Sequence, residues 1–170
     1  MNRRSFCSSL MRILLINPPD WNKVIEVNLT GQFLCAQEAV RRFRRQGGTD
    51  ASTALGKIIF NSSVHQAIPW ASHANYATAK GGLKLLMQSM AQELSCEKIR
   101  VNAIAPGPID TEANRTTTPQ EMVADIVKGI PLSRMGETDD LVGMCLFLLS
   151  DQAKWVTGQI FNVDGGQIIR

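Results

Sequence analysis

The stretch KIIFNSSVHQAIPWASHANYATAKGGLKLLMQSMAQEL, residues 57–94, decides the fold. It opens with KIIFNSS (57–63), an apolar, β-branched run that ends in hydroxyls and reads as a buried strand. A loop containing Pro69 follows. From about Tyr76 to Leu94, the residues Leu83, Leu86, Met87, Met90, Ala91 and Leu94 recur at three-four spacing, which predicts a helix with one buried face.

The same alternation continues outward. IRVNAIAPG (99–107) is a second buried strand, broken by Pro106-Gly107, and QIFNVDGG (159–166) is a last strand with a glycine stop. Residues 108–137 read as loop with a short helix near Pro119 to Lys128, after which Thr138 is placed to cap a helix over Asp139–Ser150. Upstream, RILLI (12–16) reads as a strand. Asp20 is placed to cap a helix from Trp21 towards Arg45, with a bend near Asn28 to Gly31, and GGTDASTALG (47–56) is a loop. Strands alternating with helices predict an α/β fold with a parallel sheet covered on both faces. Residues 1–170 read as one unit, in which 1–18 is an atypical leading segment.

Composition excludes several classes. The 170 residues are 44% hydrophobic and 19% charged, ordinary globular usage that allows one domain with a real core. A net charge of +3 gives no argument for nucleic acid, and the run Arg41, Arg42, Arg44, Arg45 falls at a helix end, where cations suit the dipole. Cys7, Cys35, Cys96 and Cys145 are scattered without a CxxC pair, and there are only two histidines, so no metal site is expected and reduced thiols in the cytoplasm fit best. No stretch approaches the length of a membrane span, and MNRRSFCSSLMRILLIN lacks the cleavage site of a signal peptide.

Tyr76 and Lys80 stand four apart, so on a helix they share a face. An ammonium beside a phenol favours the phenolate and suits the tyrosine to proton transfer. In an open parallel sheet ligands bind at the carboxyl ends of strands. Ser62 and Ser63 close one predicted strand, PGPIDT (106–111) closes the next, and Tyr76 and Lys80 open the helix between them. A hydroxyl, a phenol and an ammonium at one crevice are what moving a proton on an alcohol requires while hydride leaves its carbon.

NSSVHQAIPWASHANYATAKGG, RVNAIAPGPIDT and GQIFNVDGG, in that order, resemble the short-chain dehydrogenase/reductases, and EVNLTGQFL (26–34) resembles the family's segment carrying a catalytic asparagine. The resemblance runs from about Pro19 to Gly166. It implies a Rossmann-like doubly wound sheet and a nicotinamide cofactor, NAD or NADP. It assigns Asn28 to water ordering in a proton relay. Ser63, thirteen residues before Tyr76, is assigned to substrate-oxygen binding, Tyr76 to proton transfer, and Lys80 to supporting the tyrosine and holding a ribose hydroxyl. It also implies that Pro106 and Gly107 shape the nicotinamide pocket and that Ile109 and Thr111 contact the carboxamide and phosphate sides. Simpler roles stand beside these: Asn28 satisfying backbone groups at a helix bend, Ser63 as a turn hydroxyl, Thr111 as a helix cap. His65, Pro69 and Trp70 make the stretch most similar to glucose 1-dehydrogenases, with His65 on the substrate side.

Members of this family open with a glycine-rich turn that binds the dinucleotide phosphates, but no TGxxxGxG and no NNAG occur in this sequence. The resemblance therefore covers the catalytic half, and the expectation is an N-terminally truncated fold. Two functions follow: an NAD(P)-dependent oxidoreductase acting on an alcohol, ketone or sugar, or a non-catalytic subunit. The helices bearing Cys35 and Leu86, and the GQIFNVDGG end, resemble subunit contacts of the family and imply a homo-oligomer or a complex with a full-length relative.

Overall fold

The computed structural model describes residues 12–48 and 54–169. Three parallel strands form the sheet in the order β1 (Gly56–Asn61), β2 (Ile99–Pro106), β3 (Ile160–Val163). Register runs from Gly56 opposite Ile99 to Asn61 opposite Ile104, and from Ala103 opposite Ile160 to Pro106 opposite Val163. Parallel neighbours need long crossovers. Helix α3 (Ala74–Leu94) joins β1 to β2, and α4 (Glu112–Thr117), α5 (Gln120–Lys128) and α6 (Asp139–Leu149) lie between β2 and β3.

Side-chain alternation along the strands feeds two cores. On one face Phe60, Ile99, Val101 and Ala103 pack with Leu83, Met87, Ala91 and Leu94 of α3 and with Ala36 and Val40. On the other, Ile59, Ile104 and Phe161 pack with Leu141, Met144 and Leu148 of α6. Each fully buried aliphatic chain contributes roughly 2 kcal/mol, and this holds the strands in line. β2 is covered on both sides and almost wholly buried, as the apolar run 99–105 predicts.

Before the sheet runs one long helical rod: α1 (Pro18–Ile25), a π-helical turn Glu26–Thr30, and α2 (Gly31–Gln46). Where a bend is expected near Asn28 the rod has this π turn, closed by the Gly31 N–H donating to the Glu26 carbonyl. Gly47, at φ 68°, ends the rod, and Arg42 and Arg45 of its basic last turns pair with Glu38 while Arg44 pairs with Glu97.

Several local expectations are corrected. RILLI is not a strand: Arg12–Leu15 is a 3₁₀ turn with Ile13, Leu14 and Leu15 exposed, because no strand among the described residues lies beside it to take up its backbone groups. The rod starts at Pro18, not Trp21. Its cap is Asn17, whose Oδ1 accepts the Asp20 N–H at 2.8 Å, and proline at the first helical position loses no hydrogen bond. Thr138 makes no side-chain cap to α6; Asp140 instead accepts the Glu137 N–H at 2.7 Å and two bonds from Arg134. The region 108–137 holds a second short helix, α4, besides α5. Cys7 lies outside the described residues.

Candidate active site

β1 ends at Asn61, and the chain turns at once into a 3₁₀ turn, Val64–Gln66. Ser63 caps that turn: its Oγ accepts the His65 N–H at 3.3 Å. Ser62 and Ser63 are both buried. The loop then folds its aromatic residues together. His65 stacks on Trp70 with centroids 4.5 Å apart, and Trp70 stacks on His73 at 3.7 Å. Backbone carbonyls at Ile68 and Ala71 tie the two imidazole Nδ1 atoms. Burial holds the His65 imidazole below its ordinary value; the nearby His73 adds to this, while the Ile68 carbonyl opposes it.

Tyr76 sits in the first turn of α3 with its ring edge-on to both His65 (6.2 Å) and Trp70 (6.3 Å). One turn on, Lys80 is only 4% exposed. Its ammonium lies 5.4 Å from the Tyr76 ring centroid, within cation–π range, and donates to the Asn61 carbonyl at 2.9 Å. Burial pushes the Lys80 ammonium down from 10.5 to about 8. A lysine has three N–H donors, and the Asn61 bond uses one of them. Thus Ser63, His65, Tyr76 and Lys80 form one chain of contacts at the carboxyl end of β1.

Asn28 is not part of that contact chain through its side chain. Its Nδ2 donates to the Val24 carbonyl of α1 at 3.1 Å, so the side chain satisfies a backbone group one turn back along the rod. Its backbone carbonyl, however, accepts from Gln32 Nε2 at 3.0 Å, and the same nitrogen reaches the Asn61 carbonyl at 3.2 Å. Gln32 and Asn61 were not singled out in the sequence. The available signal was Gln32 four residues beyond Asn28, hence on its face of the rod.

After β2, the loop 106–111 is fixed by close packing. Gly107 donates to the Val163 carbonyl at 3.1 Å, and a Cβ there would lie 2.9 Å from the Asp164 Cα. Ile109 is buried and bridges to Gly136. The Thr111 Oγ1 accepts the Asn114 N–H at 3.2 Å, so it caps α4. Beside the loop is a cavity of about 160 Å³ lined by Pro108, Ile109, Ile130, Leu132 and Asp164 among others; Tyr76, Lys80 and Ser63 are not in its wall. That volume is below the usual range for cofactor pockets. No group of His, Cys, Asp and Glu able to hold a metal occurs among the described residues, and no described helix is long and apolar enough to cross a membrane.

Comparison with known proteins places the fold. The sequence matches the family described as enoyl-(acyl carrier protein) reductase over residues 4–167. It is 52% identical over 159 residues to an uncharacterized oxidoreductase of Mycobacterium tuberculosis, covering 93% of this chain and 60% of that protein. It is 37% identical over 150 residues to glucose 1-dehydrogenase 2 of Bacillus subtilis, covering 88% of this chain and 56% of that one. The crystal structure of a gluconate 5-dehydrogenase from Burkholderia cenocepacia, in complex with NADP and tartrate, superposes with a TM-score of 0.83 at 32% identity, covering 91% of this chain and 58% of that chain. The chain belongs to the short-chain dehydrogenase/reductase family, with its Rossmann-like α/β fold, and spans about 60% of the length of the relatives it matches.

Proposed function

We propose that the Tyr76–Lys80 cleft is a hydride-transfer site of the NAD(P)-dependent oxidoreductase kind, acting on an alcohol, a ketone or a sugar such as glucose. The observation that carries this reading is Lys80: a buried ammonium with no carboxylate among the described residues bonded to it, held by a main-chain carbonyl beside a phenol ring. Burying a charge without a countercharge is costly, and such residues gather at functional sites. In this reading Tyr76 passes a proton to or from the substrate oxygen, Ser63 hydrogen-bonds that oxygen, and Lys80 keeps a positive charge by the phenol. His65 and the stacked Trp70 wall the substrate side. Asn28 acts through its main-chain carbonyl rather than its side chain.

The residues fit one end of the cofactor. The spare Lys80 donors suit a ribose hydroxyl, and the tight Pro106–Gly107 turn, with Ile109 and Thr111 behind it, suits the nicotinamide side. When bound, the nicotinamide supplies or accepts the hydride. The sequence offers no glycine-rich turn for the pyrophosphate, and several charge-assisted bonds at about 1.5–3 kcal/mol each would otherwise come from such a turn. The isolated chain is therefore expected to bind dinucleotide weakly and turn over poorly.

One observation also favours a subunit role: Val142, Leu146 and Leu149 of α6 form an exposed apolar stripe at helical spacing, with Trp155 97% exposed beyond it. A contiguous apolar patch of this kind suits association with a second copy or a full-length relative. Single-turnover hydride transfer from NADH or NADPH to a ketone panel tests the redox reading. Tyr76→Phe keeps the ring and removes the phenol, so any transfer seen with the parent chain should vanish; equal transfer in the variant refutes the assignment.

A further inference from the structure

Asn61 lies on the outer edge of the sheet. Its neighbour Ser62 turns its N–H inward to the Ile104 carbonyl at 2.8 Å, so in the alternating parallel ladder the N–H and C=O of Asn61 face away from β2. Gln32 meets both. Its Oε1 accepts the Asn61 N–H at 3.3 Å, and its Nε2 donates to the Asn61 carbonyl at 3.2 Å and to the Asn28 carbonyl at 3.0 Å. One carboxamide from the helical rod thus clamps the edge peptide much as a neighbouring strand would. The clamped carbonyl is the one that accepts the Lys80 ammonium at 2.9 Å. Lys80 has no other hydrogen-bond acceptor among the described residues, so its position relative to Tyr76 depends on where that oxygen is held.

We propose that Gln32 is a positioning residue of this site: its carboxamide fixes the Asn61 peptide, whose carbonyl holds the Lys80 ammonium against the Tyr76 ring. The role rests on the Tyr76–Lys80 reading above, yet it concerns geometry that exists without any cofactor. Gln32 touches no reacting atom. It acts through Asn61 and joins the Asn28 turn of the rod to the lysine.

The test uses the full chain and reads Lys80 directly, following its side-chain NMR signals with pH, with assignment by Lys80→Arg. Gln32→Glu keeps an acceptor for the Asn61 N–H and places a carboxylate on the far side of the shared oxygen. The Lys80 midpoint should rise from about 8 by roughly one to two pH units. Gln32→Leu removes the clamp, and hydrogen exchange at the Asn61 amide should quicken by about tenfold, while Gln32→Glu keeps its protection. A glutamine that merely packed the rod would leave Asn61 exchange unmoved in Gln32→Leu, whereas the Lys80 midpoint in Gln32→Glu reads how close position 32 lies to the ammonium. An unchanged midpoint in folded Gln32→Glu, or unchanged Asn61 exchange in folded Gln32→Leu, overturns the proposal. If Gln32→Leu does not fold, Gln32→Met, which keeps the side-chain length without the amide, gives the Asn61 exchange readout in its place. Absence of nicotinamide binding or of hydride transfer would refute the redox reading and leave both of these readouts intact.

Discussion

Replacing Lys80 by methionine should make the protein more stable at neutral pH. Lys80 is 4% exposed, and burial is what lowers its pKa from 10.5 to about 8. That difference corresponds to roughly 3 kcal/mol of folding free energy at order-of-magnitude precision. The sign follows from proton counting. Between about 8 and 10.5 the unfolded chain holds the proton and the folded chain releases it, so stability rises with pH across that window. Below about 8 both states are protonated and the folded state bears the whole desolvation cost. Methionine has similar length, fills the same apolar space and needs no proton. Lys80→Met should therefore gain about 1–3 kcal/mol at pH 7, less whatever the lost Asn61 bond contributed, and the gain should shrink towards zero by about pH 10.5. Urea denaturation of both proteins at pH 7, 8.5 and 10 measures this. A variant that is less stable at pH 7, or whose difference does not change with pH, would refute the reasoning that a charge is being held here at a cost to stability.

Three further outcomes follow from the packing. In Gly56→Ala the new Cβ would fall 2.1 Å from Phe43 Cδ2, so the ring must swing out of the core beneath β1; a loss of roughly 1–3 kcal/mol is expected by denaturant titration. Thr111→Ala removes the cap of α4 and should cost about 0.5–2 kcal/mol locally, seen as faster hydrogen exchange at Asn114 with little change in the sheet. Leu146→Glu, on the exposed α6 stripe, should leave the fold intact by circular dichroism and lower the mass measured by light scattering; a parent chain that is already monomeric would remove the association reading.

The strands and the buried face of α3 were legible because they are governed by periodicity. Leu83, Met87, Ala91 and Leu94 are buried as their spacing requires, and β2 is an uninterrupted buried run. Tyr76 and Lys80 could be paired for the same reason. What escaped reading depends on partners distant in sequence or on end effects. RILLI has strand composition, but composition cannot supply a neighbouring strand. Pro18-Pro19 looks like a stop, yet in the first helical turn proline is a start. That the Asn28 side chain satisfies a backbone carbonyl was open to reading, but not that its own carbonyl is tied through Gln32 to the strand edge. The clamp between Gln32 and Asn61 spans 29 positions and follows no local rule. The stack of His65, Trp70 and His73 needs the loop to fold back on itself, which spacing alone does not disclose.

The claim that Tyr76 and Lys80 form the nicotinamide end of a redox site is tested most directly with reduced nicotinamide mononucleotide, which carries the nicotinamide and its ribose but no adenylate. Binding to the 170-residue chain is followed by NMR at Tyr76 and Lys80, beside NADH and NADPH, in the parent and in Lys80→Met. Weak saturable binding that perturbs both side chains is expected, similar for the mononucleotide and the dinucleotides to within about tenfold because no phosphate turn distinguishes them, with loss of that binding in Lys80→Met. No perturbation at Tyr76 and Lys80 at millimolar ligand, or binding that survives Lys80→Met unchanged, would contradict it.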